Sequence, residues 1–312
     1  MKVLHIETIY EKSGISKIAQ SVIAKLEENG DEGMLAVGRL RIPIMPEDEK
    51  KVFHFGKMPQ IVLDKALSLV FDDAGFNSHL ATKRLLGFID EYQPDIINLH
   101  SLLGYYINIE MLFDHLAKTN IPVVCTQHDC WAVTGHCIHF ISTNCDKWKT
   151  GCSHCDCHGT YPESIFDFSR RNYEKKKRIF TSVKNMIVVA PSEWIASVIR
   201  ESYLSDYPVK VIRNGINLKQ YAPTGSDLRE RYSIGNKTLL LSVASCWPEY
   251  KGLRYLCELS EMLDGSKYAM VVIGVSEKQI KSLPGGMIGI PRTTDFRELG
   301  KWYSTAELFL NP

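Results

Sequence analysis

The side chains best equipped for chemistry crowd into one stretch. Six of the nine cysteines fall between Thr126 and Pro162, and four of them, Cys137, Cys145, Cys152 and Cys155, lie within 19 positions. Cys152 and Cys155 form a C-x2-C pair. Thiolates at this density can close a tetrahedral zinc site, and four of them leave no open position for a catalytic metal. A structural zinc is the expectation. The cysteine-rich loop 128–162 has few apolar residues for its length, so a metal would supply order that burial does not. Cys130, Cys157, His139, His154 and His158 are reserve ligands. Free thiols in a long loop are the alternative.

Other candidates sit at predicted strand ends. His128-Asp129 follows the apolar run Pro122 to Thr126. In an open parallel sheet the carboxyl ends of strands face the ligand, and a histidine there exchanges hydrogen bonds with a substrate hydroxyl. Asp129 either orients that histidine or caps the following loop. Gly14, in the first β-α loop, lets backbone amides approach a phosphate or sugar at a helix N-terminus; a plain turn glycine is the alternative. Lys251-Gly252 opens a helix in the second half, where a lysine suits a diphosphate. Arg170, Arg171, Lys175, Lys176, Lys177 and Arg178 form a basic run with Phe166, Phe168, Ile179 and Phe180 nearby. That run reads as a solvated helix face or as a contact with an anionic membrane surface.

These residues need elements to hold them. Val3 to Ile6 reads as a strand, and Ile15, Ile18, Ala19, Val22, Ile23 and Leu26 recur at helical spacing up to Gly30. The unit repeats with strands at Asp95 to Leu99, Pro122 to Thr126 and Met186 to Val189. Helices are predicted at Ile107 to Lys118 and after Ser192, whose hydroxyl suits an N-cap. The second half restarts with Val209 to Ile212, then strands at Thr238 to Ala244 and Ala269 to Ile273. Helices follow at Gly252 to Leu263 and at Asp295 to Ala306, with Asp295 as N-cap, before a last strand at Leu308 to Leu310. Strands alternating with helices imply α/β architecture. The expectation is two Rossmann-like domains facing a cleft, residues 1–208 and 209–312, joined near residues 205–220.

The whole chain bounds the function. Its 312 residues suit about two domains, and 37 basic against 36 acidic residues leave a net charge of +1. That balance lacks the basic footprint of a nucleic-acid binder. Glu7 interrupts any signal-type apolar segment, so a cytoplasmic protein with reduced thiols is expected. No G-x-G-x-x-G appears, which speaks against a dinucleotide enzyme.

Taken together, these residues resemble the family 4 glycosyltransferases, which have the GT-B fold. The Gly14 loop, Pro191-Ser192, and Val211-Ile212-Arg213-Asn214-Gly215-Ile216-Asn217 resemble family elements, with Asn217 where an aspartate is usual. Lys251-Gly252-Leu253 resembles the donor-phosphate motif. The blocks Trp131 to Cys137 and Cys145 to Cys152 resemble a subgroup of exopolysaccharide and capsule clusters, similar to the colanic acid glycosyltransferases. The resemblance implies a retaining hexosyltransferase using a UDP- or GDP-sugar, with no catalytic metal. The acceptor is then a saccharide, with a lipid-linked oligosaccharide the natural choice, handled at the inner face of the plasma membrane. It makes His128 the sugar-contacting residue and Lys251 the pyrophosphate lysine. Gly274 matches a loop glycine near the nucleotide. Ser245 stands where members often carry an arginine, and Arg292-Thr293 is expected to supply that charge. The family's E-x7-E carboxylates would lie beyond Pro312, so the second domain is expected to be incomplete. A zinc-stabilised saccharide- or nucleotide-binding protein without turnover is the competing reading.

Overall fold

The computed structural model describes residues 1–11, 14–218 and 221–312. Strand β1 (Lys2–Tyr10) leads into helix α1 (Gly14–Glu28). Lys12 and Ser13 of the intervening loop lie outside the described residues. Next come β2 (Glu32–Leu40), β3 (Val52–His54), α2 (Met58–Phe71), α3 (His79–Tyr92), β4 (Ile96–Leu99), α4 (Ile109–Thr119) and β5 (Val123–Thr126). A long loop with 3-10 turns at Trp131–Val133, Ile141–Thr143 and Lys147–Lys149 precedes α5 (Ser169–Phe180), β6 (Met186–Ala190), α6 (Glu193–Arg200) and β7 (Val209–Val211). The strands form one sheet in the order β3-β2-β1-β4-β5-β6-β7, with every pairing parallel.

The rest of the chain supplies α7 (Leu228–Arg231), β8 (Thr238–Val243), α8 (Leu253–Met262), β9 (Tyr268–Ile273), α9 (Glu277–Ile280), β10 (Met287–Ile290), α10 (Phe296–Thr305) and β11 (Leu308–Phe309), whose four strands form a second sheet. Its order is β10-β9-β8-β11, again all parallel. The chain divides into two compact units, Met1–Gly215 and Ile216–Pro312. The expected break at 208/209 falls one strand earlier. Val209 and Val211 are half-buried against the first core, and β7 pairs with β6 through Val188 and Val209. The R-N-G turn after β7, not the approach to it, ends the first unit.

Both sheets bury both faces, as parallel strands must. In the second unit alternate residues of a strand point to opposite sides. Leu239, Leu241, Val271 and Ile273 pack with Trp302 of α10 and Leu228 of α7. Leu240, Met270 and Val272 pack on the other side with Leu256 of α8. Two predicted caps hold: Ser192 Oγ accepts from Ile195 N at 3.2 Å, and Asp295 Oδ1 from Arg297 N at 2.9 Å. Among the described residues no helix is long and apolar enough to cross a membrane.

Candidate functional site

The first sheet brings its chemistry to the carboxyl ends of neighbouring strands. His128 lies two residues past β5, and His100 directly follows β4. His5 sits within β1, the strand beside β4. The three imidazoles form a chain: His5 Nδ1 lies 3.0 Å from His100 Nε2, and His100 Nδ1 lies 3.2 Å from His128 Nε2. The rings are stacked, with centroids 5.3 Å and 5.5 Å apart. His5 and His100 are buried, and His128 is partly exposed at a small cavity that Gln127, Asp129 and Ser101 also line. Burial lowers His5 and His128 to about 4, and burial plus the two neighbouring rings holds His100 well below its ordinary value. All three are neutral at pH 7.

Asp129 does not orient His128. Its Oδ1 accepts from Trp131 N at 2.8 Å, which is the loop-capping role. Gly14 opens α1 in the left-handed region at φ +60°, where a side chain would be strained although a Cβ would meet only Glu11 Oε1, at an ordinary 3.6 Å. Nearby on β1, Glu7 is buried and pushed up to about 8, so it carries a proton at neutral pH. Its Oε2 receives Ser101 N at 3.4 Å.

In the second unit the candidates again follow strands. Lys251 closes a 3-10 turn, Glu249–Lys251, after β8. Gly252, at φ +76°, then starts α8. The Lys251 ammonium has no ion pair or hydrogen bond among the described residues. Gly274 follows β9 at φ +96°, and a Cβ there would lie 1.7 Å from Ala244 O. That glycine is therefore required by the backbone of the sheet edge, whatever binds beside it. Arg292 and Thr293 lie in the loop between β10 and α10, where Thr293 Oγ1 accepts from Asp295 N at 3.0 Å. The loops after β8, β9 and β10 leave the same edge of one parallel sheet, which gathers Lys251, Gly274 and Arg292 on that edge.

The cysteine loop corrects the expectation of a zinc site. Among the described residues no group of three or more His, Cys, Asp or Glu side chains is arranged to hold a metal. Cys137, Cys145, Cys152 and Cys155 pack on the apolar core instead. Cys137 hydrogen-bonds to Cys155, which holds Cys155 below and Cys137 above the ordinary thiol value. The loop also has apolar anchors of its own. Trp131, Phe140 and Trp148 are buried in the main core, with Phe140 stacked on Trp148 at 4.9 Å. A buried His136–Asp72 pair ties it to the end of α2. The sparse apolar residues are large aromatics, and a count of apolar positions undervalues them.

The basic run is only partly a solvated face. Lys175 and Arg178 pair with Glu110 of α4, and Arg171 donates to Phe71 O at 2.7 Å. Lys176 is wholly buried, with Nζ donating to Trp131 O at 2.9 Å and Thr134 O at 3.1 Å. Arg170 and Lys177 remain exposed.

Residues 14–220 match the model of Glycosyltransferase Family 4. That is about two thirds of the chain. The chain belongs to this family. A curated relative is WcaC of Escherichia coli (strain K12), named as a colanic acid biosynthesis glycosyl transferase. It is 26% identical over 132 residues, which cover 40% of this chain and 32% of that protein. Among solved structures, sucrose-phosphate synthase from Thermosynechococcus elongatus superposes with a TM-score of 0.65 at 12% identity, covering 99% of this chain and 74% of that one. HepE from Anabaena, solved in complex with UDP and glucose, gives 0.61 at 13% identity, covering 100% and 74%. WaaG, a glycosyltransferase involved in lipopolysaccharide biosynthesis, gives 0.58 at 12%, covering 99% and 74%. At such identities the structural likeness shows the fold, the α/β GT-B architecture.

Of the three rings in this family-4 chain, the sequence singles out His128 alone, and His5 and His100 join it only in the fold. A signal existed for His100: it directly follows an apolar strand, as His128 closely follows another. For His5 there was none, because a histidine inside a buried strand reads as an interruption of the apolar run.

Proposed function

We propose that the protein is a retaining glycosyltransferase that moves a hexosyl group from a UDP- or GDP-sugar to a saccharide acceptor in bacterial surface-polysaccharide assembly. The observation that carries this reading is a partly exposed, neutral histidine at the carboxyl end of β5 in a family-4 chain. The names of WcaC and WaaG support the polysaccharide setting, and the UDP and glucose bound to HepE support the donor class. In this reading His128 hydrogen-bonds a sugar hydroxyl. Lys251, whose ammonium is unpaired among the described residues, lies against the diphosphate. Negative charge grows on the departing phosphate, so a fixed cation there stabilises the transition state more than the ground state. Gly274, Arg292 and Thr293 border the nucleotide from the same sheet edge. A lipid-linked acceptor at a membrane surface fits the exposed Ile165, Phe166, Arg170 and Lys177 beside the first unit's α5.

The test is transfer from a panel of UDP- and GDP-sugars to an extracted lipid-linked saccharide acceptor. His128→Ala and Lys251→Ala are each expected to lower turnover about 100-fold, with the circular dichroism and melting of the native chain. Unchanged turnover in either variant removes that residue from the site.

A further inference from the structure

The histidine chain has a dead end. His5 is wholly buried on β1, and its Nε2 has no hydrogen-bond partner among the described residues. Glu7, the nearest carboxyl group on the same strand face, is engaged by Ser101 N instead. Both links in the chain are nitrogen to nitrogen, so each needs one proton, with a donor facing a lone pair. A neutral imidazole carries a single N–H. Three neutral rings therefore allow only two arrangements. In the first, His5 donates to His100, His100 donates to His128 Nε2, and His128 carries its own proton on Nδ1. In the second every bond is reversed. His128 then donates from Nε2, His100 donates to His5 Nδ1, and an N–H is left on His5 Nε2.

The two arrangements differ at the buried end. The reversed chain strands an N–H without an acceptor, and orphaned buried donors are rarer in proteins than under-used acceptors. The first chain leaves only a lone pair there. We infer that His5 and His100 are positioning residues that fix His128 as its Nδ1–H tautomer, so that it presents a hydrogen-bond donor to a sugar oxygen. To act as a base, His128 would have to shift protons through both other rings and leave one on His5 Nε2. The inference rests on the proposed sugar contact of His128, but the tautomer is a property of the unliganded chain.

The experiment is long-range proton–nitrogen correlation NMR on the full chain with 15N-labelled histidine, at pH 7 and without ligand. His128→Asn assigns the signals. The expected result is one His128 tautomer, protonated at Nδ1 and bare at Nε2. A proton on Nε2, or on both nitrogens, overturns the inference, and this measurement needs no altered core. His5→Phe removes the first donor and is expected to give mixed His128 tautomers. His5→Gln, whose amide can still donate, is expected to restore the single form. A folded His5→Phe that keeps the pure Nδ1–H form overturns the role of His5. If His128→Ala leaves transfer intact while the native tautomer is as expected, the sugar contact fails and the relay stands.

Discussion

Lys176 is a wholly buried amine on a helix otherwise rich in exposed charge. Two carbonyls hold its Nζ, and the Trp131 ring centre lies 3.6 Å away. Burial outweighs these partners and lowers the ammonium to about 7, against 10.5 for an ordinary lysine. Between those values the unfolded chain binds a proton that the folded chain lacks. This group therefore adds stability as pH rises from about 7 towards 10.5, by up to about 1.4 kcal/mol per pH unit; the gain is lost as pH falls from 10.5 to about 7, and below 7 both states bind the proton and the contribution levels off. Lys176→Met keeps the volume but leaves two carbonyls unsatisfied, costing about 1–3 kcal/mol at pH 7. Denaturant unfolding of both proteins at pH 6.5, 8 and 9 is expected to show the native advantage growing with pH. Comparing the pair cancels the opposite trend of buried thiols such as Cys130, pushed up to about 12. A difference independent of pH would show that the amine stays charged in the fold. The same residue explains a misreading of the sequence. A lysine inside a basic run looks solvated, and only the carbonyls of a loop some forty residues away make it part of the core.

At the scale of elements, alternation of apolar strands and periodic helices was legible wherever each strand was a plain apolar run, as in β5, β6, β8 and β9. It failed between residues 31 and 92, where β2, β3, α2 and α3 lie. Strand β2 carries Gly33 and Gly38 because Ile23 and Tyr106 press on its backbone; a Cβ at Gly38 would lie 2.0 Å from the Tyr106 ring. Glycines and an arginine dilute its apolar pattern. Helix α2 exposes Val62 and Leu63 while burying Asp64 and Ser68, which scrambles the amphipathic signal. The candidate site was legible for the same reason as the strands: a polar residue that ends an apolar run stands out, whereas His5 within one does not. Gly274 carries the element-scale prediction. Gly274→Ala drives a Cβ into Ala244 O and forces φ +96° on an L-residue. It is expected to destabilise the second unit by about 2–4 kcal/mol in denaturant unfolding, by spreading the ends of β8 and β9. Stability within about 0.5 kcal/mol of native would show that the edge can relax, and any loss of activity would then be assigned to the ligand side of the loop.

At the scale of the molecule, each unit has its own sheet and its own cores. The segment from Ile212 to Leu218 is exposed and belongs to no helix or strand. Brief trypsin digestion is expected to cut first after Arg213, releasing a folded fragment of residues 1–213 with all seven strands of the first sheet. A first cut inside the 128–162 loop would instead show that its aromatic anchors are weak. The strand order of that sheet also bears on how the chain is made. β1 lies in the middle, between β2 and β4, yet β4 is read some ninety residues after it. At about 5–20 residues per second a ribosome delivers that partner roughly 5–20 s later. Throughout that interval one flank of the nascent N-terminal strand is unsatisfied, and the chain passes through a vulnerable stage. Slowing translation ahead of β4 should therefore raise the share of chains lost to aggregation before the first sheet closes.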